Sequence, residues 1–315
     1  MMKKIAYYPL YGFVYSLSLL PFRVLYLISD GIFLLIYHII RYRRKIVKKN
    51  LTASFPDKSQ TELRTIERRF YHWLCDYFME TVKLLSISNE QLLQHIEFRG
   101  VEQLEACYDD GQDCAAILGH YCNWEWLSAT GLAFKRYPQA VMGLIYHPLY
   151  SEAFDRLFIA IRSAHGGACI PKKDILRHLI KYRQENRRTL FGYISDQTPK
   201  WENIHLWLPF LHQDTPVFTN GEKLMRRMNN AVFYTEMERP RRGHYICTFH
   251  LITRDSQQME EFAITRRFFE MLEDTIRREP QYYLWTHNRW KRTKEEFDQK
   301  FDVVDGKVIR KEEQE

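Results

Sequence analysis

Two runs without charge open the chain. Residues 5–22, IAYYPLYGFVYSLSLLPF, carry none, and VLYLISDGIFLLIYHII (24–40) is interrupted only by Asp30 and His38. RYRRKIVKK (41–49) follows, with six cations in nine residues. A membrane-spanning helix needs about 20 apolar residues, so each run is close to that length. Together they predict one long tilted helix, or a hairpin dipping into one leaflet. Pro9 and Pro21 disfavour a single straight helix. The apolar block is too long for a secretory signal and ends in no small-residue cleavage site. The basic run behind it predicts a body on the cytoplasmic face, with anionic head groups held beside the anchor. The competing structural reading is a buried helix pair with a solvated basic end.

Beyond residue 50 the pattern turns helical and then alternates. Ser59-Gln-Thr-Glu62 is a capping box, and Leu63, Ile66, Phe70, Leu74, Tyr77 and Phe78 recur behind it at helical spacing. CAAILG (114–119), AVMGLIY (140–146) and TLFGYIS (189–195) read as strands. NWEWLSATGLAFKRY (123–137), SEAFDRLFIAIRSAHGG (151–167) and KKDILRHLIKYRQEN (172–186) read as helices between them. This alternation predicts an α/β fold, a mixed central sheet with crossover helices. AVFYTEMERPRRGHYICTFHLI (231–252) predicts two strands joined through Pro240 and Gly243. A helix near 260–278 and the aromatic segment YYLWTHNRWKR complete the pattern. The organisation expected is an anchor with a basic flank over 1–49, one catalytic domain over 50–292, and a charged, frayed tail over 293–315.

Composition narrows the partner. A net charge of +7 favours something anionic: nucleic acid, an anionic membrane or an acidic carrier protein. No recognised nucleic-acid motif accompanies the charge. The 20 Tyr, 20 Phe and 7 Trp suit cores, and equally surfaces that meet lipid head groups. The six cysteines include no CxxC pair, which predicts free thiols rather than zinc or a disulfide framework.

The candidate chemistry lies in AILGHYCNWEWLS (116–128). His120 follows a strand directly, Asn123 is a fair N-cap, and Glu125 falls in the first helical turn. Strand ends of an α/β sheet are where reactive side chains gather. Residues five apart do not face each other on a continuous helix, so the pair meets only across an intervening turn. If it does, the carboxylate fixes the imidazole tautomer and leaves the other ring nitrogen to accept a proton. With 12 histidines, such a pair also arises by chance. There is no GxSxG elbow, no HExxH, no EF-hand loop, no P-loop and no GxGxxG. Neither a metal nor a nucleotide cofactor is expected, and Cys122 is expected to pack rather than attack.

The residues around this pair resemble those of the late acyltransferases of lipid A biosynthesis, the lauroyl/myristoyl group. His120-Tyr-Cys-Asn-Trp-Glu125 is similar to the family's His-x4-Asp/Glu signature. YHPLYSEAFDRLFIAIRSAHGG (146–167) resembles its second block, with Arg162 ahead of a glycine. YISDQTP (193–199) resembles the block built on an Asp-Gln pair, Asp196 and Gln197. PQYYLWTHNRWK (280–291) resembles the closing block, and the anchor fits as well. His147, Ser151, Thr198, Asn288 and Trp290 depart from the family's common residues.

The resemblance implies a glycerolipid-acyltransferase-like fold at the bacterial inner membrane, facing the cytoplasm. It implies transfer of an acyl chain from acyl carrier protein, or acyl-CoA in some relatives, to a hydroxyl of a lipid A precursor. His120 and Glu125 are then expected to be catalytic, with His120 as general base oriented by Glu125. Asn123, Arg162, Asp196 and Gln197 are expected to bind substrate, with Arg162 facing the developing oxyanion. The same chemistry on another glycolipid or aminolipid, a thioester hydrolase, and a non-catalytic basic membrane protein are the alternatives.

Overall fold

The two apolar runs fold as separate helices because Pro21 cannot donate to continue the first. α1 spans Met2–Ser18, with Pro9 inside it, and α2 spans Phe22–Leu34 with Pro21 as its N-cap. This computed structural model describes residues 2–304 and 307–311, with side chains from residue 7 onward. α2 continues into a π-helical turn, Leu35–Ile39. Phe22–Ile39 is long and apolar enough to cross a membrane, and 22% of it is buried. The chain then kinks through Arg41 and Arg43, both left-handed at φ 53° and 52°, and enters α3, Arg44–Ser54. Part of the basic run is structural: Arg44 bonds Glu67 at 2.7 Å, and Arg43 donates to the Thr286 carbonyl at 3.1 Å. Arg41, Lys45, Lys48 and Lys49 stay exposed.

α4, Gln60–Lys83, starts at the capping box read from the sequence, with both reciprocal bonds made. Its apolar face is core, except that Phe78 is half exposed. The same helix buries two carboxylates. Asp76 accepts from Ser29 at 2.6 Å, Arg239 at 2.7 Å and Arg242 at 2.6 Å. Glu80 accepts from Asn123 at 2.8 Å, from the Tyr245 hydroxyl at 2.5 Å and from the Tyr26 hydroxyl at 3.0 Å. Burial pushes the Glu80 carboxyl up, and the Arg239 guanidinium pulls the other way. Asp30 and His72 come within ligand distance of Asp76, but Arg242 already bonds both carboxylates at 2.6 Å. These ion pairs fasten α2 to α4 and to the strand pair described next.

The rest alternates as expected. α5 (Asn89–Leu93), β1 (Ile96–Arg99), α6 (Val101–Asp109) and β2 (Cys114–Leu118) come first. β3 (Val141–Tyr146), α7 (Glu152–Ser163), β4 (Ala168–Pro171), α8 (Ile175–Gln184) and β5 (Thr189–Ile194) follow. A small antiparallel pair, β6 (Trp207–Phe210) with β7 (Gln213–Pro216), leads to α9 (Asn220–Met228). β8 (Ala231–Arg241), β9 (His244–Thr253) and α10 (Ala263–Arg278) close the domain. The sheet order is β1-β9-β8-β2-β5-β3-β4. Strands from β8 to β4 run parallel, β9 is antiparallel to β8, and β1 runs with β9, so the sheet is mixed. All five residues of β2 are buried, as a central parallel strand requires. All six thiols are free.

Two expectations fail. Residues 123–137 form no α-helix; Trp124–Ala133 is 3-10 helical. Asn123 spends its side chain on Glu80 and makes no cap bond. Ser128 and Thr130 bond back to carbonyls three residues earlier, at 2.8 Å each, which favours the tighter turn. The tail is not frayed through residue 311. It forms α11 (Lys294–Lys300) and an antiparallel pair, β10 (Phe301–Val304) with β11 (Lys307–Arg310). Trp201 stacks on Phe297 and Phe301, giving this charged segment an apolar anchor. Residues 312–315 lie outside the described ones.

Replacing Asp76 by Ala takes from Arg239 and Arg242 the buried carboxylate they share, leaving Arg239 only Glu80 at 3.5 Å and Arg242 the part-exposed Asp30, and removing one partner of a buried pair costs about 3–5 kcal/mol. Denaturant titration of the Asp76→Ala protein in detergent should show that loss, with faster proteolysis within residues 1–49. A second prediction concerns acid. Asn50 donates to the carbonyls of Trp285 and His287 at 2.9 Å, folding the closing aromatic segment inward. Burial there pushes the His287 imidazole down to about 4 from 6.5. The unfolded chain accepts a proton that the folded chain refuses, so this stability is complete above pH 6.5 and is lost toward pH 4. His287→Gln should flatten that slope by at most about 3 kcal/mol, read from denaturation midpoints across the interval.

Candidate active site

The register of two parallel strands builds the site. Leu118 pairs with Ile194, and the next rung is the Ser195 amide donating to the Leu118 carbonyl at 3.0 Å. Two residues past each paired position stand His120 and Asp196, on the same edge of the sheet. His120 Nδ1 lies 2.7 Å from Asp196 Oδ1. Gly119 allows this exit: a Cβ there would meet Leu272 of α10 at 2.9 Å. The Leu284 amide donates to the His120 carbonyl at 3.2 Å and fixes the turn from the other side.

Asp196 is 2% exposed. Burial alone would raise its carboxyl, but the His120 charge and hydrogen bonds, with Arg289 behind, outweigh it and hold it below the usual range. Arg289 is itself buried, pushed down to about 10, and donates to the Pro216 carbonyl at 2.6 Å. An ionised Asp196 accepts from Nδ1–H, which leaves Nε2 as the ring nitrogen that can exchange a proton. The Gln197 amide reaches that nitrogen at 3.2 Å, and the Trp124 ring meets the imidazole edge-on at 5.1 Å.

Glu125 does not take the part expected of it. The 3-10 turn carries it toward Arg162 of α7, which forms a two-pronged ion pair at 2.7 and 2.6 Å. Tyr77 donates to the same carboxylate at 3.4 Å. Glu125 is 4% exposed, and its pairing drives the Arg162 guanidinium pKa up despite burial. The acid beside His120 is therefore Asp196. Asn123, expected to bind substrate, is fully buried on Glu80 and away from the cleft. Cys122 is buried in a left-handed turn, φ 54°, and burial pushes its thiol up, so it is no nucleophile.

His120, Glu125, Arg162 and Gln197 line one cleft of about 630 Å³. It sits at the carboxyl ends of β2, β3 and β5, where parallel sheets place their ligands. Leu118, Leu127, Met142, Leu144, Leu176 and Leu224 make its wall apolar, and exposed His147, Lys172 and Lys173 stand at its rim. An apolar slot with one imidazole and one guanidinium suits a hydrocarbon chain ending in a reactive carbonyl. A second depression, about 480 Å³, lies near the opposite ends of the strands. Its charges already pair, Arg254 with Asp110 at 2.6 Å and Arg183 with Asp113 at 3.6 Å.

The sequence reading missed Asp196 as the partner of His120, and Lys172 and Lys173 at the rim. A signal was present: Asp196 follows TLFGYIS directly as His120 follows CAAILG, which is how partners at the tips of adjacent parallel strands look.

Residues 2–292 match the family described as Bacterial lipid A biosynthesis acyltransferase. The chain is similar to the lipid A biosynthesis lauroyltransferase of Escherichia coli (strain K12), 21% identical over 285 residues, 89% of each protein. It is also similar to that organism's lipid A biosynthesis palmitoleoyltransferase, 21% identical over 274 residues and 86% of each. A match running from the first helix to the closing aromatic segment means that this chain is an acyltransferase of the bacterial lipid A biosynthesis family.

Proposed function

We propose that the protein transfers a fatty acyl group from a thioester on acyl carrier protein to a hydroxyl of a lipid A precursor, with His120 as general base. The observation that carries this is the His120–Asp196 pair at the mouth of an apolar cleft, beside the Glu125–Arg162 pair. The acceptor hydroxyl displaces the Gln197 amide and gives its proton to Nε2. Its oxygen bonds to the thioester carbonyl carbon, and the imidazolium that forms is stabilised by Asp196. Collapse of the tetrahedral intermediate breaks the C–S bond, and the proton on Nε2 passes to the leaving thiolate. No acyl-enzyme forms. Arg162 faces the developing oxyanion, and Glu125 acts as its positioning residue by holding two of its N–H groups. No cofactor beyond the acyl thioester is needed.

Membrane attachment supports the same reading. Phe22–Ile39 leaves Leu27, Leu34, Leu35 and Ile39 exposed along its outer side. One side of α2 is bonded into the body through Ser29 and Asp30, which meet Asp76 and Arg242 at 2.6 Å. A helix bonded along its side to a folded domain lies in the interface plane rather than crossing the bilayer. Exposed Arg41, Lys45, Lys48 and Lys49 then meet anionic head groups from the cytoplasmic side of the inner membrane. The same positive surplus would steer an acidic carrier protein.

Acyl transfer assayed with purified donor and acceptor should fall by roughly 10²–10⁴-fold in His120→Ala, the span a general base supplies. Asp196→Asn, which offers the wrong hydrogen-bond partner to Nδ1, should lower kcat comparably while leaving KM and the melting temperature near parental. Glu125→Gln should do less, on the order of tenfold to a hundredfold, because Arg162 keeps one neutral partner. Full activity in both His120→Ala and Asp196→Asn would end this mechanism. Free fatty acid released without an acceptor requirement would make the protein a hydrolase instead.

A further inference from the structure

The segment between β3 and α7 is built unlike a solvent loop. Tyr150 is fully exposed, and Leu149 and Phe154 are 46% and 49% exposed. The loop is nonetheless held firmly, since the Leu149 amide donates to Asp155 at 2.7 Å. An ordered loop and helix start that point three large apolar side chains into water call for an apolar neighbour. Its position says which. α7 packs along α1, with the Arg156 guanidinium 4.0 Å over the Tyr7 ring. The exposed Tyr8 ring of α1 lies 5.8 Å from the same guanidinium and so borders the start of α7, which carries Phe154. His147 and Leu149 of the loop also line the cleft, and the exposed Lys172 and Lys173 share its rim.

We propose that residues 147–154 are a second bilayer-inserting element, which seats the mouth of the cleft in the leaflet so that the acceptor enters from the membrane side. This rests on the interfacial reading of α1 and α2 and adds the place where lipid meets the reactive groups. Leu149, Tyr150 and Phe154 enter the acyl boundary, and Lys172 and Lys173 meet anionic head groups beside them. The occupant is an anionic phospholipid leaflet, favoured over a protein because an apolar tip with two exposed lysines, Lys172 and Lys173, on the same cleft rim complements a charged surface with an apolar interior.

The test uses the full chain, with an environment-sensitive dye on Tyr150→Cys in a Cys169→Ser background. Gln257→Cys, exposed near the opposite end of the strands, carries the control dye. Vesicles of phosphatidylethanolamine and phosphatidylglycerol are added, with and without brominated acyl chains. The dye at 150 should shift to the blue and be quenched by bromine, and the dye at 257 should do neither. Flotation with vesicles and no response at 150 would overturn the proposal and leave the attachment of α1 and α2 standing. Failure to float would overturn both. A response at 150 to acyl carrier protein but not to vesicles would make the ridge a carrier-docking surface and sink the bilayer. As a second measurement, Tyr150→Glu with Phe154→Glu, both exposed and outside the cleft lining, should slow transfer to vesicle-embedded acceptor roughly tenfold or more, the equivalent of losing one buried apolar side chain. Detergent-dispersed acceptor should be used at the parental rate. Equal losses in both would place the loop against substrate rather than the bilayer and overturn the proposal.

Discussion

The contact between His120 and Asp196, on which the candidate site is built, depends on the parallel register between β2 and β5. Pairing Leu118 with Ile194 brings two strand ends level, and two residues past those ends stand an imidazole and a carboxylate. A slip of one residue would turn one of them to the other face of the sheet. The register is defended from both sides: β2 is buried throughout between β5 and β8, and the Ser195 amide extends the ladder beyond the last full pair. The cleft is the space left where these strands end and the helices have not yet begun.

The second constraint is electrostatic. α4 carries Asp76 and Glu80 in a fully buried position, and both are satisfied by guanidiniums and hydroxyls from distant parts of the chain. Such a network adds little net stability over an apolar core but penalises any other arrangement, because every partner removed leaves a charge in a dry interior. It dictates where α2 lies, and it occupies Asn123, whose side chain would otherwise cap the next helix. With that cap gone and two hydroxyls bonding backward, the turn tightens and Glu125 swings to Arg162. Two ion pairs therefore stand where the chain order suggests one.

Much of the fold was legible from the chain. The capping box at Ser59, the strand runs at 114, 141 and 189, and the antiparallel pair ending at Gly243 are local matters of side-chain period and turn chemistry, which neighbours in sequence decide. The break at Pro21 was legible for the same reason. The helix over 123–137 was misread because its competitor, Glu80, lies far away in sequence. The tail was misread because its apolar partner, Trp201, does too.

By itself the sequence determined the family, the histidine at the strand end, and the apolar and basic character of the amino-terminal segment. Only the tertiary structure decided which acid that histidine touches. Residues 120 and 125 are neighbours along the chain, yet 120 and 196 are neighbours in space. The reason is that side-chain partners across a parallel sheet are chosen by strand order and register, and a crossover connection of any length can separate them in the chain.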